Sequence, residues 1–151
     1  MSINSQRPIA NGVVKDVLLE LKDSGLVAVS AAAQVGGQDK ILDLGLGKFR
    51  ADVIIDASAV EVDTDDERYT IITQFSTSDT FASNIVNGTT LYLGSDGGAL
   101  ANADTGNVEG RYKLPFTNII DDVHYQYMRL FTIVSGTIAT GIDYEAFVTI
   151  R

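Results

Sequence analysis

Tyr125-Gln-Tyr-Met-Arg-Leu-Phe-Thr-Ile-Val134 is the stretch that decides the fold. Its residues alternate strictly. One side carries Tyr125, Tyr127, Arg129, Phe131 and Ile133; the other carries Gln126, Met128, Leu130, Thr132 and Val134. Aromatic and β-branched residues at period two read as a β-strand, because successive side chains of a pleated backbone leave on opposite faces. Both faces are apolar toward the C-terminal end, which is expected of a central strand covered on both sides.

Working outward, the same pattern recurs. Tyr144 to Ile150 gives a further strand, and Tyr112 to Phe116 gives one that breaks at Asn118. Ile85-Val86 and Leu91-Tyr-Leu93 flank Asn87-Gly88, a pair that favours a tight hairpin turn. In Tyr69 to Phe75 one face holds Tyr69, Ile71, Thr73 and Phe75. Val53 to Val62 is long enough for a full strand, and Ile41-Leu-Asp-Leu-Gly45 and Leu26 to Ala32 are shorter candidates. Val17 to Lys22 alternates with charge, yet Val13, Val14, Val17, Leu18 and Leu21 also fit a short helix with Asn11 as N-cap and Gly25 as stop. The chain holds 14 Val, 14 Ile and 13 Thr, which favours strands over helices throughout. The expectation from this pattern is an all-β sandwich or barrel of about eight to ten antiparallel strands. Residues 1–12 lack periodicity and read as an extended N-terminal arm; residues 13–151 read as a single domain. Alternation assigns Ile54, Ile71, Phe75, Met128, Leu130 and Val148 to the core. The glycine-rich stretch from Gly94 to Gly106 reads as one long loop.

Composition narrows the chemistry. Over 151 residues, 11 Lys and Arg face 20 Asp and Glu, a net charge of −9. That excludes a general binder of phosphate backbones, whose affinity needs released counterions, and argues against anionic lipid surfaces. There are no cysteines and a single histidine, so thiolate chemistry and clusters of imidazole ligands within one chain are excluded. No stretch approaches the roughly 20 apolar residues of a membrane-spanning helix. The opening Met1-Ser-Ile-Asn-Ser-Gln-Arg-Pro8 lacks a basic-then-apolar leader, so the chain is expected to be used without export by that route. For that reason Asn87-Gly88-Thr89 is read as a turn and not as a glycan acceptor.

His124 would have to anchor any Ser-His-Asp machine, and no Gly-x-Ser-x-Gly elbow accompanies it; beside Asp121 and Asp122 it reads as a surface histidine. Glu61, Asp63, Asp65, Asp66 and Glu67 form an acidic run without the spacing of a calcium loop, so a solvated loop between strands is expected. Lys40, Lys48 and Arg50 make one basic island and Arg111 and Lys113 a second, which should pair with the chain's own carboxylates or with a partner's. No catalytic, cofactor-binding or metal-ligating residue is named, and no cofactor is implied.

Three segments carry a resemblance. Ile41-Leu-Asp-Leu-Gly45 leads into the strand Val53 to Val62. Arg111-Tyr-Lys-Leu-Pro115 follows. Tyr127-Met-Arg-Leu130 then runs to Ile133-Val-Ser-Gly-Thr137, Thr140-Gly141 and Phe147-Val-Thr-Ile150. In this order and spacing they resemble the jelly-roll capsid cement, or decoration, proteins of tailed bacteriophages, over about residues 17 to 151. The resemblance implies a jelly-roll-like β-sandwich or barrel and a non-enzymatic homo-oligomer, trimer or dimer, made in the host cytoplasm and docked on the outer surface of the phage head. There it would bridge neighbouring major capsid protein subunits, with neither nucleic acid nor membrane as partner. The N-terminal arm, the Gly94 to Gly106 stretch and the acidic run have no counterpart in that family. A small carbohydrate-binding or adhesive β-sandwich module is the alternative, with six tyrosines but no tryptophan to stack on sugars. A glycosidase built on two carboxylates is the enzymatic one.

Overall fold

The computed structural model describes residues 19–95 and 109–150. The arm over 1–12, most of the possible helix over 13–21, and nearly all of the glycine-rich loop lie outside them.

Fourteen strands follow one another with no α-helix among the described residues. They are β1 (Glu20–Lys22), β2 (Leu26–Val27), β3 (Ala31–Ala32), β4 (Gln34–Val35), β5 (Gln38–Asp39), β6 (Leu42–Asp43) and β7 (Arg50–Val60). Then come β8 (Arg68–Ser76), β9 (Val86–Gly94), β10 (Gly110–Thr117), β11 (Ile119–Ile120), β12 (Val123–His124), β13 (Tyr127–Ser135) and β14 (Ile142–Ile150). The first main sheet runs β1-β14-β7-β10, with β2 also on β14. The second runs β3-β13-β8-β9, with β6 also on β13. Pairing in both is antiparallel throughout. Apart from the β8–β9 step, each successive long strand crosses to the other sheet. Two five-stranded sheets interleaved this way form a jelly-roll-like sandwich; the strand pattern led one to expect the all-β sandwich, and the resemblance its jelly-roll character.

The alternation explains the core. From β8, Tyr69, Ile71, Thr73 and Phe75 all point inward and are fully buried. They meet Met128 and Leu130 of β13, Val53 and Ile55 of β7, and Tyr144 and Val148 of β14. Two inward polar groups are satisfied locally. Thr132 and Tyr144 share a hydroxyl hydrogen bond of 2.6 Å, and the Thr73 hydroxyl accepts from the Thr89 amide at 2.8 Å. Ile54 is buried as expected, but it pairs with Phe147 on the outer face of the first sheet while Val53 and Ile55 fill the interior.

Three local expectations need correction. Asn87-Gly88 is not a turn. It lies within β9, and neither residue has positive φ. The β8–β9 register slips between Ile72 and Gln74, where β9 carries one extra residue, so the pair forms a β-bulge. A Cβ on Gly88 would stand 2.6 Å from both the Phe75 ring and the Thr73 hydroxyl, so the backbone lies directly on Phe75. The chain reverses instead over 77–85, where Phe81 and Asn84 take positive φ. The decisive strand begins at Tyr127, because the Tyr125 amide is bonded to the Asn118 carbonyl at 2.9 Å and the chain is still turning there. Its outer face is covered only in part: Tyr127, Arg129 and Phe131 are half-buried and Ile133 is 42% exposed. Finally, Leu26 to Ala32 is no single strand; β2 joins the first sheet and β3 the second.

Candidate functional site

The polar side chains at the two ends of the sandwich mostly hold loops. The acidic run is the clearest case. Glu61 ends just past β7 and faces the turn between β13 and β14. Its carboxylate accepts the amides of Ala139 (3.0 Å), Thr140 (2.7 Å) and Gly141 (2.7 Å). Asp66 accepts the Thr64 hydroxyl at 2.6 Å and the Thr137 amide and hydroxyl at 3.0 and 2.9 Å. Glu67 is fully buried and accepts the amides of Thr64 (2.9 Å) and Asp66 (3.2 Å). Asp65 bonds the Ser95 hydroxyl.

These bonds favour the charged form. The Gly141 and Thr140 amides hold Glu61 below the usual carboxylate range. The Thr64 hydroxyl and the Thr137 donors do the same for Asp66. Burial pushes Glu67 up, but the Thr64 and Asp66 amides outweigh it and its pKa is lowered. Tyr69 donates to the Glu61 carbonyl at 2.9 Å, and its phenol is pushed up by burial and by the nearby charges of Glu61 and Glu67. The expectation of a solvated acidic loop is therefore corrected for Glu61 and Glu67, which are buried, while Asp66 is exposed. Glu61 and Asp66 form a latch between the β7–β8 connection and the β13–β14 turn, and Glu67 pins the connection itself. Nothing in the local sequence shows which distant amides will face these carboxylates.

At the opposite end Asn118, fully buried, does the equivalent work. Its Oδ1 accepts the Phe49 amide at 2.8 Å, and its Nδ2 donates to the carbonyls of Gly47 (3.1 Å) and Tyr125 (3.0 Å). His124 is placed beside it, with Nε2 3.0 Å from the Gly47 carbonyl. Among the described residues no group of three or more His, Cys, Asp or Glu side chains is arranged to hold a metal ion.

The cations divide sharply. Lys22 is buried, and its ammonium donates to the carbonyls of Asp23 (3.0 Å), Gly25 (2.9 Å) and Tyr144 (2.8 Å). Burial lowers its pKa against the pull of Asp143, Asp23 and Glu145. It lines a cavity of about 460 Å³ that also touches Val29, Ala31 and Thr132. Arg129 donates to Gln74 Oε1 at 2.9 Å and lies 4.4 Å over the Phe81 ring and 5.4 Å from that of Phe131. It thus ties the 77–85 connection to β13 through a ring face, and burial lowers its pKa. Arg111 is bidentate on Asp56. Arg50 lines a second cavity of about 460 Å³, between β9 and β10, with Phe75, Gly88, Pro115, Phe116 and Ile120.

The aromatic inventory is mostly inside. Tyr69, Tyr125 and Tyr144 are buried and Tyr112 and Tyr127 half-buried, so Tyr92, 63% exposed, is the one ring set out in solvent. Apolar side chains reach solvent mainly from loops and strand ends: Leu46 at 84%, Val29 at 71%, Leu26 at 58% and Val123 at 46%. No helix among the described residues is long and apolar enough to cross a membrane. Compared with protein-family models and with curated proteins, the chain matches none.

Proposed function

We propose that the protein is a capsid decoration protein of a tailed bacteriophage. It docks on the outer surface of the head as a homo-oligomer and bridges neighbouring major capsid protein subunits. The observation that carries this reading is where the polar chemistry goes. Glu61, Asp66, Glu67, Asn118, Lys22 and Arg129 each spend donors or acceptors holding a connection in place, against a strand, a second connection or itself. That builds a rigid jelly roll presenting shaped ends, with exposed apolar side chains such as Leu46 and Val29. Such a molecule is useful for the surface it offers. An oligomer engaging several lattice sites at once needs only modest affinity at each, and a net charge of −9 keeps free copies apart. The ordered segments that resemble the decoration family support the same reading. The glycan-binding alternative is left with Tyr92 as its exposed stacking ring.

The test is co-sedimentation of the purified protein with heads of the phage that encodes it. Saturable binding at a fixed ratio to the major capsid protein is expected, and binding is expected to weaken on removal of residues 1–12. No association with heads, or saturable hits on a glycan array instead, would overturn the reading.

A further inference from the structure

The outer face of the first sheet is roofed, and by no strand among the described residues. Across the ladder, Lys113 of β10, Ile54 of β7, Phe147 of β14 and Glu20 of β1 stand in one row. Their neighbours along each strand, among them Leu114, Val53, Ile55, Val148 and Leu21, fill the core, so this row faces away from it. Outward side chains of a sandwich ordinarily meet water. Here Ile54 is 2% and Phe147 3% exposed, and Asp52, the next outward residue of β7, is 7% exposed.

Burial that complete needs atoms packed over the ring and over the branched chain. The second sheet lies on the opposite side. The β4–β5 hairpin is tied to the end of β1, where the Asp23 amide donates to the Gln34 carbonyl at 3.2 Å. The β11–β12 hairpin is held at the sandwich end by His124 on the Gly47 carbonyl. Arg111 comes within 6.0 Å of the Phe147 ring, but it is itself exposed and engaged on Asp56. Asp52, Glu20 and Glu145, all on this face, each have an interaction partner, while the one ion pair among the described residues joins Arg111 to Asp56. A carboxylate as buried as Asp52 is held by an opposite charge or a hydrogen-bond donor.

We propose that residues 1–18 of the same chain cover this face, with apolar side chains of Val13 to Leu18 on Ile54 and Phe147, and with Lys15 and Arg7 toward Asp52, Glu20 and Glu145. The segment joins the sheet at the right place, because β1 opens with Glu20, in register with Phe147. Four strands about 4.8 Å apart make a sheet about 14 Å wide, which about five extended residues cross. Composition selects this segment over the other long stretch outside the described residues. Residues 1–18 carry Ile3, Ile9, Val13, Val14, Val17 and Leu18, with two cations against the single acid Asp16. Residues 96–108 carry one leucine and one valine among glycines and alanines, with Asp96, Asp104 and no cation. Only the first can bring both branched side chains to the buried pair and positive charge to three carboxylates. The arm is then part of the domain's own packing, whether or not the protein binds phage heads.

The chain has no cysteine, so Asn11→Cys offers one site for a nitroxide label. The labelled full chain should lose amide signal most strongly around Ile54, Phe147 and Lys113, less in β8 and β13, and recover it when the nitroxide is reduced. Mixing labelled protein with an isotope-enriched, unlabelled copy should abolish the loss around that row. Lys15→Glu should weaken the loss and let an apolar dye bind the uncovered row, and Lys15→Arg should restore the wild-type pattern. Should Lys15→Glu fail to fold, the label on the otherwise unchanged chain decides. Losses centred on another face, losses of equal size in the mixture, which would mean a segment exchanged between copies, or a Lys15→Glu pattern identical to wild type would each overturn the proposal.

Discussion

Glu61 and Gly141 hold each other twice: the Glu61 amide donates to the Gly141 carbonyl at 3.1 Å, and the Gly141 amide donates to the Glu61 carboxylate at 2.7 Å. Eighty residues of sequence separate them. This pair is the centre of the latch that fixes the β13–β14 turn to the end of β7.

Glu61→Ala removes the acceptor for three backbone amides in a buried setting. It should lower Tm by more than about 5 °C, with Glu61→Gln intermediate because one acceptor oxygen remains. Differential scanning calorimetry at pH 7 measures both; an unchanged Tm for the alanine variant would remove the latch from the account of stability.

The latch also sets the response to acid. Glu61, Asp66 and Glu67 have lowered pKa values in the folded protein, so the unfolded chain takes up protons that the folded one refuses. Their contribution is complete above the unfolded carboxylate value of about 4.3 and is lost as pH falls through and below it. Tm should be flat from pH 7 to about 5 and fall below about 4.5. Glu61→Gln should flatten that fall; a wild-type profile rising toward low pH would contradict the assignment.

Gly141→Ala should be among the most damaging single changes. Gly141 has φ +94°, and an added Cβ would collide with the carbonyl of Val27, which is backbone and cannot swing away. Loss of dispersed amide resonances, or a destabilisation above about 3 kcal/mol in denaturant melts, is expected.

Leu130 is fully buried at the centre of the second sheet. Leu130→Ala should cost about 2–5 kcal/mol by urea denaturation with little change in m. A loss below about 0.5 kcal/mol would mean that the inner face of β13 is wrongly assigned.

Phe81→Ala removes the ring under the Arg129 guanidinium. The expected loss is about 0.5–2 kcal/mol from the cation–π contact, besides that of the buried ring, and proteolysis should quicken within residues 77–85. Cleavage at the wild-type rate would show that the tether does not restrain the connection.

What the sequence made legible was the periodic part. The inner face of β8, the core positions Met128, Leu130 and Val148, and the all-β sandwich class follow from alternation, because burial on one face of a pleat imposes period two. The errors fall where a long-range neighbour decides. Asn87-Gly88 has the chemistry of a turn, yet it bulges within a strand because the Phe75 ring leaves room for backbone and nothing more. The acidic run has the composition of a solvated loop, yet three of its carboxylates find amides and hydroxyls contributed in part by residues 137–141. Of the two basic islands, nothing local distinguished Arg111, which has Asp56 across the ladder, from Arg50, which has Thr117.

The place of β14 has a consequence for synthesis. It lies between β1 and β7, so the last strand among the described residues is an interior member of the first sheet. Until residue 150 leaves the ribosome, β1 has no neighbour to pair with in its sheet and one edge of β7 stands unpaired. The nascent chain must therefore wait, and maturation becomes a late, single event. A copy stalled before β14 leaves β1 without its partner, so a translation product cut off there has no finished first sheet.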